Sequence, residues 1–111
     1  MKKLKTKNKS VASIWWVYMI RTRLNAIYTG ISTDVDRRFE EHASGDPKGA
    51  RNLKGKGPLT LLLRKKIGNK SEASKVEWKI KQLTKQKKED IISGKINWNS
   101  FLKNINVKGK L

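Results

Sequence analysis

This chain contains no cysteine, which removes disulfides and thiolate metal sites and suits a reducing cytoplasm. It contains a single histidine, so a structural zinc site built from Cys and His is excluded as well. Negative charge is scarce: nine Asp and Glu face 27 Lys and Arg, a formal net charge of +18. Long apolar runs are missing too. The uncharged stretch Val11 to Ile20 follows five lysines and superficially has the layout of a secretory signal. It runs straight into Arg21-Thr22-Arg23 with no small-residue cleavage site, carries Trp15, Trp16 and Tyr18, and at ten residues cannot span a bilayer. No membrane role is expected.

What is present is a small, very basic domain. A chain of 111 residues supports one domain with a modest core. Such an excess of positive charge repels itself in a compact state unless a polyanion is nearby. Nucleic acid is the expected polyanion, ranked ahead of an anionic membrane surface. Residues 1–13 read as a flexible basic arm, either a solubilising tail or a contact for phosphates.

Trp16 to Ile20 and Ile27 to Ile31 are rich in aromatic and β-branched residues around the polar stretch Arg21 to Ala26, which predicts a β-hairpin. Asp34 reads as an N-cap for a helix from Val35 to Ser44, with Gly45 as its stop and Val35, Phe39 and Ala43 as its inner face. Asp46 to Pro58 is a loop. Thr60 to Arg64 reads as a third, buried strand, and Ser71 as the cap of a second helix whose inner stripe is Ala73, Val76, Ile80 and Leu83. A third helix runs from Thr84 to Gly94, and residues 95–111 form an extension expected to pack in part on the domain. The order β-β-α-β-α-α predicts an α+β fold, a small three-stranded antiparallel or mixed sheet flanked by helices.

One set of polar residues points to chemistry. If the hairpin turns around Arg23, Tyr18 and Tyr28 project from the same face. Arg38 and His42, four residues apart, share one side of the first helix, and Glu77 borders the buried stripe of the second. The pattern therefore allows two phenols, a guanidinium, an imidazole and a carboxylate to converge beside the sheet.

Here the chain resembles the GIY-YIG nuclease superfamily, and most closely its small stand-alone bacterial members, from about Trp15 to Gly94. The two signature tripeptides stand as Trp16-Val17-Tyr18 and Tyr28-Thr29-Gly30. The stretch Asp34 to His42 is similar to the family helix with an Arg-x-x-x-His pair, and Ser71 to Lys85 is similar to its metal-binding helix. The resemblance implies a metal-dependent DNA endonuclease domain over residues 14–94 that hydrolyses phosphodiesters by a one-metal mechanism. Glu77 would ligate one Mg²⁺ (or Mn²⁺) whose other positions are filled by water and phosphate. Arg38 would stabilise transition-state charge. Tyr18 would be the general base for the attacking water, with Tyr28 helping to place it and His42 orienting a phenol or the phosphate. A free phenol titrates near pH 10, so its surroundings would have to lower that value. Gly30 would let the backbone turn close to the site. Trp16 and Thr29 replace the Gly and Ile of the two family tripeptides.

Each residue also has a plainer explanation. Tyr18 and Tyr28 suit any strand, Arg38 beside Arg37 is an ordinary surface charge, Glu77 is in register with Lys81, and His42 sits near a helix end. The loop cations Lys48, Arg51, Lys54 and Lys56, together with Gly30 and Arg37, are the expected nucleic-acid contacts. Gly55-Lys56 is followed by Gly57 where a Walker A motif needs Ser or Thr, so nucleotide binding is excluded. The third helix carries Lys85, Lys87 and Lys88 at its positive end, an inversion that either answers an external phosphate or means nothing. Trp78 points away from its helix's inner stripe, and the expectation is that Trp98 and Phe101 fold over it rather than leave it as a contact surface. With no separate targeting domain, recognition is expected from the fold, its arms or a partner. The rival function is a DNA- or RNA-binding module that keeps the fold and cuts weakly or not at all.

Overall fold

The computed structural model describes residues 13–105. The basic arm, except for its last residue, and the chain beyond Ile105 lie outside it. The elements are β1 (Trp15–Arg21), β2 (Ile27–Ser32), α1 (Val35–Ala43), a short 3-10 turn (Arg51–Leu53), β3 (Thr60–Gly68), α2 (Lys70–Lys81), α3 (Lys85–Ser93) and α4 (Trp98–Ile105). The three strands form one antiparallel sheet in the order β2-β1-β3.

β1 is central and covered on both faces, which is why it reads as a nearly continuous apolar run. Its alternation sorts the two layers. Val17 and Met19 point towards a core shared with Ala73, Val76 and Ile80 of α2 and Leu102 and Ile105 of α4. Tyr18 and Ile20 point the other way, towards Val35 of α1 and Leu53 of the following loop. The sheet thus separates a helical layer of α2 and α4 from a layer built by α1 and the loop.

The hairpin pairs Tyr18 with Gly30, Ile20 with Tyr28 and Arg21 with Ile27. Its turn is centred on Leu24, one residue beyond the expected Arg23, and the parity that sets both phenols on one face is unchanged. Asn25 takes the left-handed conformation (φ 69°) that Asn tolerates better than other side chains.

Four local expectations are corrected. The inner face of α1 is Val35, Phe39 and His42, and Ala43 is exposed. A strict four-residue step drifts about 40° per step on a helix of 3.6 residues per turn, so the 35–39–42 stripe stays inward and Ala43 leaves it. β3 runs on to Gly68 through Lys65 and Lys66, and it is a half-buried edge strand rather than a buried one. Lys65 keeps the pattern by laying its amine over the Trp98 ring at 5.8 Å. The cap of α2 is Asn69, in a reciprocal capping box with Glu72, so Ser71 is already helical. Finally, Trp98, Phe101, Leu102 and Ile105 form the inner stripe of a fourth helix on the α2 side. They therefore do not cover Trp78, which remains 60% exposed.

The charge inversion in α3 has a partner within the chain. Both oxygens of Glu89 accept from the Arg21 guanidinium, each at 2.8 Å, tying α3 to the end of β1. Thr84 caps this helix and Gly94 closes it in the left-handed region, as the sequence predicts. Among the described residues, no helix is long and apolar enough to cross a membrane.

Candidate active site

Tyr18 lies in the middle of β1 with its phenol buried between α1 and β2. Its oxygen is 2.9 Å from Nε2 of His42 on α1. The Tyr28 ring completes a three-ring cluster, 6.3 Å from Tyr18 and edge-on to His42 at 5.5 Å. Gly30 sits opposite Tyr18 inside β2, not at a turn. A Cβ there would fall 2.6 Å from the Tyr18 hydroxyl and 3.1 Å from the Tyr28 ring. What Gly30 supplies is room for the phenols, a steric reason rather than a conformational one.

The tautomer of His42 is set by the backbone. The Ala50 amide donates to Nδ1 at 3.0 Å, so that nitrogen bears a lone pair and the proton of the neutral ring is on Nε2. Nε2–H then donates to the Tyr18 oxygen, leaving the phenolic hydrogen free to point elsewhere. Burial, and then the charge of Arg38, push the imidazole pKa below its usual value, against an opposing pull from Glu41. The ring is neutral at physiological pH.

The phenol behaves contrary to expectation. Burial raises the Tyr18 pKa above the ordinary phenol value, and Tyr28 adds to the rise. Arg38 opposes them through charge and hydrogen bonding without winning. The protein's own groups therefore hold Tyr18 as a neutral phenol.

Arg38 is held on two sides, donating to Glu41 at 2.9 Å and to the carbonyl of Lys48. Glu41 is only 10% exposed and also pairs with Arg37 at 3.3 Å. A second guanidinium lies on the same face: Arg64 of β3 is the register partner of Tyr18 and donates to Asp36 of α1 at 2.6 Å. Sequence reasoning missed Glu41, Arg64 and Ala50. Glu41 was legible as an i,i+3 and i,i+4 partner of the two arginines. Arg64 required the register of β3. Ala50 contributes only its backbone and leaves no signal.

The loop after α1 closes this face. Gly49 passes so near the end of α1 that a Cβ would lie 2.7 Å from the Glu41 carbonyl. Arg23 of the hairpin turn donates to the Gly57 carbonyl at 2.9 Å, strapping loop to sheet. Lys48, Arg51, Lys54 and Lys56 are exposed along it, and Arg37 is exposed on α1. Lys54 reaches the Asp46 carbonyl at 3.3 Å. Lys56, with Asn52, Leu53, Thr22, Ala26 and Tyr28, lines an open cavity of about 180 Å³.

Glu77 stands apart. It flanks the buried stripe of α2, the helix on the other face of the sheet, and its carboxylate pairs with Lys81 at 3.1 Å. The structure therefore joins Tyr18, Tyr28, Gly30, Arg38 and His42 in one cluster, and among the described residues no hydrogen bond or ion pair links them to Glu77. Among the described residues, no group of three or more His, Cys, Asp or Glu could hold a metal. A hard cation that keeps most of its water needs fewer protein ligands than that. Glu77, 23% exposed and paired with Lys81 in a weak i,i+4 contact, fits such a role.

The fold is thus α+β, a three-stranded antiparallel sheet flanked by helices, with paired phenols on its hairpin and an Arg-and-His pair on its first helix. A family profile described as the GIY-YIG catalytic domain matches residues 14–90, and the chain belongs to that family. Its relatives include the UPF0213 protein YhbQ of Salmonella arizonae, 46% identical over 91 residues, which span 82% of this chain and 89% of that protein. The YhbQ protein of Escherichia coli O127:H6 is 51% identical over 79 residues, covering 71% of this chain and 77% of the other. A solution NMR structure of the UPF0213 protein BH0048 from Bacillus halodurans is 38% identical, with a TM-score of 0.48 over 78% of this chain and 89% of that one. The YhbQ relatives bear out the resemblance to the small bacterial members of the family that the ordered motifs from Trp15 to Gly94 suggested.

Proposed function

We propose that this protein is a cytoplasmic, metal-dependent DNA endonuclease that hydrolyses phosphodiester bonds with a water activated by Tyr18. The observation that carries the reading is the 2.9 Å contact between the Tyr18 hydroxyl and His42 Nε2, with the imidazole tautomer set from behind by Ala50. Deprotonating Tyr18 leaves a phenolate facing an N–H donor already aimed at it, with the Arg38 guanidinium favouring the same charge. Little reorganisation is then needed when that phenolate takes up the proton of the attacking water and returns to the neutral phenol. Arg38, held by Glu41 and the Lys48 carbonyl, then stabilises the charge that develops on phosphate. Tyr28 fixes the second side of the water's position. Glu77 would hold the Mg²⁺ or Mn²⁺, which when bound supplies charge neutralisation on the scissile phosphate. The exposed cations of the loop, with Arg37, grip the strand on either side.

The raised pKa of Tyr18 favours a second reading, a module that binds nucleic acid through the same face and cuts slowly or not at all. A cleavage assay on plasmid, single-stranded and branched DNA, comparing Mg²⁺ with EDTA, separates the two. Metal-dependent cleavage that disappears in Glu77→Ala and Tyr18→Phe supports the nuclease. Intact binding with no cleavage of any substrate supports the module. Cleavage that survives both EDTA and Glu77→Ala reports a contaminant and counts against the mechanism.

A further inference from the structure

Among the described residues, Trp78 is the one aromatic side chain that the fold leaves in the open, 60% exposed on α2. The inner stripe of that helix is Ala73, Val76 and Ile80. At about 100° per residue Trp78 stands nearly opposite Val76, away from that stripe. Its neighbours at i−3 and i+3 are the exposed Lys75 and Lys81, and the Lys79 amine lies 5.9 Å from the ring centroid. The aromatics that could have covered it, Trp98 and Phe101, are packed against the core.

A bare indole ringed by lysines is selective about its partner. It is a single ring rather than a broad apolar patch, which suits a flat, apolar-faced ligand better than a protein surface. A second copy of this chain would bring its own excess of positive charge against those lysines. An intact duplex presents phosphates outward and keeps its base faces stacked, so the indole gains nothing from it. An unpaired base offers both a π-face for the ring and flanking phosphates for the lysines.

We propose that this face of α2 is a stacking platform for an unpaired base of a nucleic-acid strand, with Lys75 and Lys79 on the adjacent phosphates. The inference rests on the nucleic-acid reading above and deepens it, assigning the protein to substrates with a single-stranded segment. Because Glu77 is the preceding residue, the platform holds that segment close to the candidate metal ligand.

The test is a titration of labelled oligothymidine and of a blunt duplex of equal length with the full chain, as wild type, Trp78→Ala and Trp78→Tyr. Thermal melts accompany it to confirm folding. The expected result is that Trp78→Ala weakens oligothymidine binding by roughly 5- to 150-fold, the range for loss of one base–aromatic stack. Duplex affinity and melting should be unchanged, and Trp78→Tyr should keep most of the single-strand affinity. Wild-type affinity for oligothymidine in Trp78→Ala overturns the platform and leaves the nucleic-acid reading standing. An equal loss on both ligands also overturns it, since no stacking preference is then involved. A wild-type chain that binds neither ligand overturns the platform and the reading together. A dimer that dissociates in Trp78→Ala with oligothymidine binding unchanged assigns the ring to self-association instead.

Discussion

The backbone amide of Ala50 reaches Nδ1 of His42 at 3.0 Å and so decides which nitrogen of the ring faces Tyr18. A main-chain group in a loop thereby sets the proton pattern of a side chain eight residues earlier. Protonating His42 at both nitrogens would place two N–H groups head to head and break this contact.

Stability should consequently depend on this one imidazole. Folding depresses the His42 pKa, so as the pH falls the unfolded chain takes up the proton first. The contribution is complete above about pH 6.5 and is lost as the pH drops from there through the lower folded value. Melting temperature should fall between about pH 7 and pH 5 in the wild type and far less in His42→Gln. Since the chain has no other histidine, nitrogen NMR of the imidazole should report an unprotonated Nδ1 at neutral pH.

Gly30→Ala should damage the site more than the fold. Its Cβ would lie 2.6 Å from the Tyr18 hydroxyl, so the phenol must move away from His42. The expected cost is about 1–3 kcal/mol of stability for overpacking, with loss of cleavage well beyond what that cost explains. Denaturant titration beside a nicking assay distinguishes the two effects.

Tyr18→Phe should lower the cleavage rate by about 10²–10⁴-fold, the usual contribution of a positioned proton acceptor. It also strands the Nε2–H of His42, at roughly 1–3 kcal/mol of stability. Because burial holds the phenol's pKa up, the wild-type rate should keep climbing with pH through about pH 9 without reaching a plateau. A rate that levels off near neutrality would assign the proton to another group.

Glu41→Gln should loosen Arg38 without removing it. The carboxylate holds Arg37 and Arg38 together, and its loss should cost roughly 1–3 kcal/mol as charged hydrogen bonds weaken. DNA affinity should hold or rise as the surface becomes more positive, while the cleavage rate falls. Binding and turnover measured on the same substrate would show this divergence.

Much of the architecture was legible in the chain. Trp16 to Ile20 and Ile27 to Ile31 announce the hairpin through composition, and Thr84 and Gly94 bracket α3 through capping chemistry. The parity of residues 18 and 28 placed both phenols on one face because strand alternation survives an error of one residue in the turn's centre. Other features lay beyond local pattern. The lysines in β3 mask a strand that pairs with β1, and Lys65 among them lies over Trp98, thirty-three residues later. The helical tail is stabilised by the α2-side core rather than by its own asparagine-rich composition. At the site, pair spacing captured Arg38 with His42, but the Ala50 amide and Arg64 depend on loop closure and strand register, which no short window contains.

Tyr18 and Met19 are consecutive in the central strand and face opposite layers, one towards the candidate catalytic groups and the other towards the hydrocarbon interior. Tolerance to substitution in the helical layer is therefore narrower than its distance from the phenols suggests. A screen for inactive variants should recover changes at Val76 or Ile80 alongside those at His42, and the former should regain activity on cooling while the latter do not.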